Sequence, residues 1–417
     1  MDERTHSDKQ GWRKRFVLIA SGQAVSLIGS SAAQFALIWY LASETGSSMV
    51  MALSGLAAFL PQFLLGPVAG VWVDRLPRKR VIIASDLFIG SVSAMLAAGF
   101  ALGRPPHAVI YAVMALRALG GAFHSPAIQS AIGLLVPRDE LVRVGGFQQL
   151  MRSGARMLGP VLGALMYAEM PIYWILLLDL AGALVASAGA AAIDIPQVPG
   201  AAHKRRHLTR ELAEGARVLA GDRALVVVTL CSMLSMVFFA PTGSLYPLMS
   251  SGYFGVSARH GGLVELLYAL GLMLSALAAG LVGKIGNKLR MIHLAQYALG
   301  LSALGVALLP SSMPGFWAFA LLCCAMGASG NLFDIPYVAY IQEHIPREAQ
   351  GRAFALTETG MSLAIPVGLL TAGAFAERWG VPRWFLLTGL SFLATTTVSA
   401  LWTRQVQRRI GMSRPDM

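Results

Sequence analysis

Apolar residues run through this chain in blocks of about 20, long enough to cross a hydrocarbon core of ~30 Å as helix, with the polar residues gathered in short stretches between them. Twelve such blocks can be drawn: 16–41, 49–73, 81–103, 108–135, 145–168 and 172–193, then 224–248, 259–283, 291–309, 316–339, 353–376 and 383–402. A chain in lipid must satisfy its backbone donors and acceptors internally, so each block predicts a helix and the whole an all-α polytopic membrane protein. The first block follows Trp12-Arg13-Lys14-Arg15, exceeds the apolar core of a secretory leader and has no small-residue cleavage site behind it; it is expected to stay as an anchor. The longest polar interval, 194–223, opens on Pro196 and Pro199 and passes the basic run His203-Lys204-Arg205-Arg206-His207. It then sets Leu208, Leu212, Ala216 and Leu219 on one helical face. That pattern predicts a linker helix on the inner membrane surface, with a regulatory site as the alternative. The chain therefore divides into a tail 1–15, a bundle 16–193, the linker 194–223, a second bundle 224–402 and a tail 403–417, with both tails cytoplasmic.

Composition agrees, since 56% hydrophobic and only 13% charged residues would leave a water-soluble chain short of polar surface. The net charge of +12 raises nucleic acid as a partner, but the positions of the basic residues answer it. With both termini inside, 26 of the 33 Lys and Arg fall in cytoplasmic segments and 4 outside (Arg104, Arg259, Arg378, Arg383). That bias is the positive-inside rule, and it calls for an anionic inner leaflet and no nucleic acid. Cys231, Cys323 and Cys324 lie within blocks and offer neither a disulfide framework nor metal-ligand spacing. Motifs for nucleotide-driven pumping, zinc proteolysis or serine hydrolysis do not occur, so no enzyme, metal or cofactor is expected, and an ion gradient is the expected energy source.

The second block joins the third through Gly66-Pro67-Val68-Ala69-Gly70-Val71-Trp72-Val73-Asp74-Arg75-Leu76-Pro77-Arg78-Lys79-Arg80, a tight charged turn. Asp74 can accept hydrogen bonds at a neighbouring helix end, while Arg75, Arg78 and Lys79 can meet carboxylates, with Asp86 in reach. The alternative is that these charges only enforce topology. The spacing Gly-x-x-x-Asp-Arg-x-x-Arg-Lys closely resembles the signature loop of the major facilitator superfamily, which makes Gly70, Asp74, Arg75, Arg78, Lys79 and Asp86 gating candidates. The halves also echo each other: Gly70-x-x-x-Asp74 before Arg80 by Gly280-x-x-x-Lys284 before Arg290, Pro137-Arg138-Asp139-Glu140 by Pro346-Arg347-Glu348, and Pro160-Val161 by Pro366-Val367. The near-constant offset argues for two homologous six-helix bundles, the parallel repeat of that superfamily, with substrate held between them.

Charges inside the blocks mark the candidate chemistry. Arg117 lies ten residues into its block, ~15 Å deep at 1.5 Å per residue, and shares a face with Gly121 and His124. Arg117-x-x-x-Gly121 resembles the superfamily's fourth-helix motif, in which an arginine is implicated in proton coupling. Glu265, just below the outer surface on the stretch carrying Gly261, Gly262 and Tyr268, is a carboxylate able to take up a proton or attract a cationic drug. For Asp334 and Glu358, near the inner ends of their blocks, a cytoplasmic gate and a proton relay both remain open. Gly154, Gly159, Pro160 and Gly163 resemble the Gly-x-x-x-x-Gly-Pro-x-x-Gly motif of antiporting facilitators and are hinge candidates, with Ala164 where a second glycine is usual. Arg152 and Arg156 stand outside that motif with their role open. The resemblance puts the helix bearing Asp179 outside the cavity, so a structural role is expected there. Gln23, Gln34, Gln62, His124, Asn331 and Asp334 are the candidate cavity residues, with Trp39, Phe59 and Tyr246 beside them.

Gly22-Gln23-Ala24-Val25-Ser26-Leu27-Ile28, Val73-Asp74-Arg75, Ala122-Phe123-His124-Ser125-Pro126-Ala127 and Trp384-Phe385-Leu386-Leu387 resemble the macrolide-efflux group of that superfamily. The resemblance implies a monomeric proton-coupled exporter of amphipathic, macrolide-like drugs, with Arg117, Glu265 and Glu358 as coupling residues. The alternatives are an exporter of an endogenous metabolite or siderophore, or an uptake symporter.

Overall fold

The computed structural model describes residues 3–137, 140–195, 216–282 and 286–412. The helices of the first half are α1 (Glu3–Thr45), α2 (Ser48–Arg75), α3 (Arg78–Leu102), α4 (His107–Leu135), α5 (Leu141–Glu169) and α6 (Ile172–Ala191). Those of the second half are α7 (Arg223–Phe239), α8 (Thr242–Leu248), α9 (Ala258–Val282), α10 (Lys288–Ala307), α11 (Met313–His344), α12 (Arg347–Trp379) and α13 (Val381–Met412). Eleven of the twelve predicted blocks each coincide with one helix, and among the described residues no strand occurs. Ten spans are long and apolar enough to cross a membrane among the described residues; α5, which carries Arg143, Arg152 and Arg156, and α10, which carries Lys288, Arg290 and His293, do not reach that apolarity.

The departures from expectation have local causes. The seventh block is not one helix: α7 ends at Phe239, α8 starts after Pro241, and a π-helical turn, Met249–Tyr253, follows Pro247. Pro241, with no N–H to give, stands between α7 and α8, and Pro247 lies inside α8 just before the π-helical turn, leaving one backbone acceptor there without its usual donor. At the chain ends, α1 is already helical from Glu3 and α13 continues to Met412, so much of both predicted tails is helix. The linker face at Leu208 and Leu212 and the repeat residue Lys284 lie outside the described residues. Side-chain caps start several helices: Asp222 accepts from the Ala224 and Leu225 amides at 2.9 and 3.1 Å, Asn287 from Arg290 at 2.9 Å and Ser312 from Gly315 at 3.3 Å.

The chain forms two compact units, Met1–Glu44 with Leu53–Ala202 and Ser257–Gly262, and Thr45–Ala52 with His203–Val256 and Leu263–Met417. In the first, α3 packs chiefly on α6 and α4; in the second, α10 packs chiefly on α13 and α11. These are equivalent helices under the internal repeat, and the packing residues are equivalent too. Gly90 of α3 meets Leu180 and Ala183 of α6, and Gly300, 210 positions later, meets Gly389 and Phe392 of α13. Fully buried Ile82 and Ile292, the same distance apart, each sit in the core of their unit. A β-carbon at Gly163 of α5 would stand 2.6 Å from the Ala32 carbonyl oxygen of α1; Gly368 of α12 faces the Val237 carbonyl of α7, both partners displaced by 205. Small residues at these crossings let backbones approach, which in lipid substitutes for hydrophobic driving force.

Overpacking a close crossing costs about 1–3 kcal/mol. Gly163→Val should therefore lower the thermal midpoint of the detergent-solubilised protein, while Gly154→Ala, where a β-carbon would meet nothing within 4 Å, should not. Equal midpoints in a heating scan would show that the α5–α1 approach is not tight.

Candidate functional site

The first unit encloses a cavity of about 490 Å³ between α1, α2, α3, α4 and α5. Four of the expected polar residues line it: Gln23 and Gln34 from α1, Gln62 from α2 and His124 from α4. Asp86, Arg117, Arg152 and Arg156 also reach it, so its wall is polar at several depths and apolar between, through residues such as Ile19, Leu27 and Met114.

On one side of the cavity three helices converge on Asp86, which is 3% exposed. Gln23 Nε2 donates to Asp86 Oδ2 at 2.9 Å, and His124 Nε2 stands 3.1 Å from Asp86 Oδ1 without the alignment of a hydrogen bond. Gln23 Oε1 is buried and without a hydrogen-bond partner. Asp86 was expected to answer the basic turn before α3. It lies eight residues into α3, more than two helical turns along, and points to α1 and α4 instead.

Deeper in, Arg117 of α4 forms a buried ion pair with Asp179 of α6, which has no exposed surface. Ser30 Oγ donates to Asp179 Oδ1 at 2.6 Å and Ser93 Oγ to Oδ2 at 2.7 Å. Arg117 Nη1 also contacts the Ser93 hydroxyl, and Nη2 donates to the Ser30 carbonyl at 3.2 Å. A guanidinium and a carboxylate removed from water are tolerable only when paired and hydrogen-bonded, and this network, drawn from α1, α3, α4 and α6, does both. Arg117, expected as a coupling residue, and Asp179, expected in a structural role, are thus each other's partners, a pairing the sequence analysis missed. The available signal was the comparable depth of two opposite charges, ten residues from the start of α4 and seven from the start of α6.

The basic turn finds different partners from those expected. Lys79 Nζ donates to the carbonyls of Ala191 and Ile193 at 2.6 and 2.8 Å, a cation at the C-terminus of α6 where the helix dipole favours it. Arg78 Nε donates to Ser130 Oγ of α4 at 2.5 Å, and Arg75 is exposed. The surroundings of Gly70 are open, and the side chain of Asp74 lies outside the described residues. In α5, Gly159 and Gly163 press on Ser31 and Ala32 of α1, with Pro160 between them, so these hinge candidates are also contact points. Gly154 touches nothing comparable.

In the second unit Glu265 of α9 is half-buried beside Tyr246, Tyr268 and Cys323. Asp334 and Glu358 have exposed side chains. Asn331 Nδ2 donates to the Leu272 carbonyl at 2.6 Å, so this expected cavity residue ties α11 to α9. The repeat makes the first-unit cluster conspicuous. The position equivalent to Asp86 is Gln296, 210 residues on, whose Nε2 donates to Ser232 of α7 at 2.8 Å. At this position the first unit carries a carboxylate and the second an amide.

Residues 19–369 and 296–414 match the family described as the Major Facilitator Superfamily. The chain is 35% identical to macrolide efflux protein A of Streptococcus pyogenes over 388 residues, 93% of this chain and 95% of that protein. It is 26% identical to the multidrug efflux pump Tap of Mycobacterium tuberculosis over 404 residues, 92% and 90% of the two chains. Among solved structures it is similar to a bacterial homologue of the iron transporter ferroportin in its inward-facing state, with a TM-score of 0.71, 15% identity and coverage of 93% and 98%. The nucleoside transporter NupG gives 0.68 at 12%, covering 91% and 98%. At such identities these structures speak for the fold alone.

Removing one member of a buried ion pair costs about 3–5 kcal/mol, whereas replacing both with apolar residues is often neutral. Asp179→Ala should therefore sharply reduce thermal stability and folded yield, and the double change Arg117→Met with Asp179→Leu should recover most of it. Size-exclusion yield and a heating scan read both; a double variant no better than the single one would show that the charges are needed for more than each other.

Proposed function

Because this chain belongs to the Major Facilitator Superfamily, we propose that it is a proton-coupled exporter of macrolide-like amphipathic drugs in the cytoplasmic membrane. The observation that carries this reading is 35% identity with macrolide efflux protein A across nearly the whole of both chains. The polar and apolar wall of the first unit's cavity supports it, since a large amphipathic compound needs apolar contact area with a few placed polar groups.

Transport then proceeds by alternating access, with the two six-helix bundles rocking to open a shared path first to one side and then to the other. The rigid-body character of such a step is favoured by interlocked crossings such as Gly90 on α6 and Gly300 on α13. The Arg117–Asp179 network acts as a brace that keeps α1, α3, α4 and α6 together through the cycle. Glu265 and Glu358 are the carboxylates assigned to proton passage in the second unit, and the turn carrying Gly70, Asp74, Arg75, Arg78 and Lys79 closes the inner side. Each elementary charge moved down a membrane potential of 100 mV supplies about 2.3 kcal/mol. That corresponds to roughly a forty-fold substrate gradient when one net charge crosses per turnover. The chain is read as a monomer with both termini in the cytoplasm, its basic segments against anionic lipid.

Expression in a drug-sensitive host lacking its own pumps should raise resistance to erythromycin several-fold, and an uncoupler should abolish the gain. No change in susceptibility would remove macrolides from the reading. Glu265→Gln should reduce efflux of the drug while leaving the amount of protein in the membrane unchanged; normal efflux would take Glu265 out of the coupling route.

A further inference from the structure

The first unit's cavity presents two cations that no described side chain answers. Arg152 and Arg156 of α5 line it, and neither has an ion pair or hydrogen bond among the described residues. Counted from Leu141 they lie 11 and 15 residues along, about 17 and 23 Å into a helix of 29 residues, near its middle. An arginine at that depth is costly in hydrocarbon and is kept where it faces the protein interior or a water-filled space. Arg152 is half-buried and Arg156 exposed, so both offer accessible surface to the cavity. Gln148, one turn before Arg152, lines it too, and steps of four keep the three residues on one face of α5. The carboxylates nearby are engaged: Asp179 pairs with Arg117, and Asp86, 3% exposed, accepts from Gln23 and stands beside His124. What α5 contributes to the cavity is therefore a row of donors that carries positive charge.

We propose that the Gln148, Arg152 and Arg156 face of α5 binds the carboxylate of amphipathic organic acids, and that such acids are cargo of this protein. A guanidinium has donors and no acceptor, and its planar fork meets a carboxylate through two parallel hydrogen bonds. Two forks one turn apart hold both oxygens of one acid group, and the Gln148 amide donates a further bond. The body of the acid lies against the apolar wall, where Leu27, Met114 and Ile128 give contact area. Gln34 and Gln62, in the same lining, supply polar groups to its carbonyls and hydroxyls. Low-dielectric walls focus the field of the two arginines, so an anion is favoured over a neutral molecule of the same shape. An interior-negative membrane potential drives an anion outward, so an acid released on the outer side leaves electrically downhill. A neutral cargo gains nothing from that potential.

This inference rests on the exporter reading for its direction of transport, and its test separates the two by measuring binding alone. Indomethacin, an amphipathic carboxylic acid, and its methyl ester, the same skeleton without the charge, are titrated calorimetrically into the full-length protein. The protein is held in a neutral detergent at about pH 7.5, where the acid is ionised. Corrected for partition into empty micelles, the wild type should prefer the acid at least about tenfold. Arg152→Gln combined with Arg156→Gln should bind acid and ester alike. Arg152→Lys combined with Arg156→Lys, which keeps the charge and loses the forks, should fall between. No preference in the wild type, or an undiminished preference in the double glutamine variant, overturns the proposal. Should the double glutamine variant not fold, as judged by its melting curve, Arg156→Gln decides by the same criterion. An anionic lipid also joins an acid group to an apolar body. If phosphatidylglycerol at the same concentration as indomethacin erases the acid preference, the site belongs to lipid and the cargo assignment falls. Erythromycin is titrated in parallel. Acid preference without erythromycin binding leaves the site standing and removes macrolides from the reading; erythromycin binding without acid preference does the reverse.

Discussion

The structure depends on what hydrocarbon does to unpaired polarity. In a medium without water to accept or donate, a backbone carbonyl, a serine hydroxyl or a guanidinium must find its partner within the protein. The helices settle the backbone. The side chains are settled by a few networks, of which Arg117 with Asp179, Ser30 and Ser93 is the most complete. Four helices contribute to that network, so the same contacts that neutralise a mid-membrane charge also fix how those helices cross. Elsewhere the crossings rest on glycine and alanine, which give close approach without polar groups to satisfy.

Against that background the two units solve one packing problem in two ways. Gly90 and Gly300, Ile82 and Ile292, and the Gly163 and Gly368 crossings show the same backbone built twice. The second unit fills its interior with neutral hydroxyl and amide pairs, such as Gln296 with Ser232, Thr229 with Tyr337 and Ser235 with Thr395. The first unit places Asp86, Arg117, His124 and Asp179 in the corresponding region. The two units thus answer the same packing problem with different side-chain chemistry, and in the first unit the buried charges are held by one another. Titratable groups do occur in the second unit, among them Glu265 beside Tyr246 and Tyr268, and buried His293, whose Nε2 stands 3.0 Å from Ser399 Oγ.

The order and extent of the helices were legible in the chain because apolar length is a local property and the bilayer thickness is a constant. The family was legible in the turn from Gly66 to Arg80, where spacing and context agree. The break at Pro241 was also written there, but a run of apolar residues on both sides concealed it. What could not be read was partnership. Arg117 and Asp179 are 62 residues apart, and Asp86 and His124 sit on different helices; only depth along each helix hinted that they could meet.

Sequence by itself therefore determined the membrane class, the helical spans, the internal repeat and which residues carry charge within the lipid, since each follows from composition and spacing along one dimension. Tertiary structure decided which of those charges neutralise one another and which face a cavity. It turned Asp86 from the basic turn towards Gln23 and His124, took Arg117 into a closed network and committed Asn331 to a helix contact. The reason is geometric: a side chain's partner depends on the rotation and depth of a neighbouring helix, and those are set by packing between distant segments rather than by the residues on either side of it.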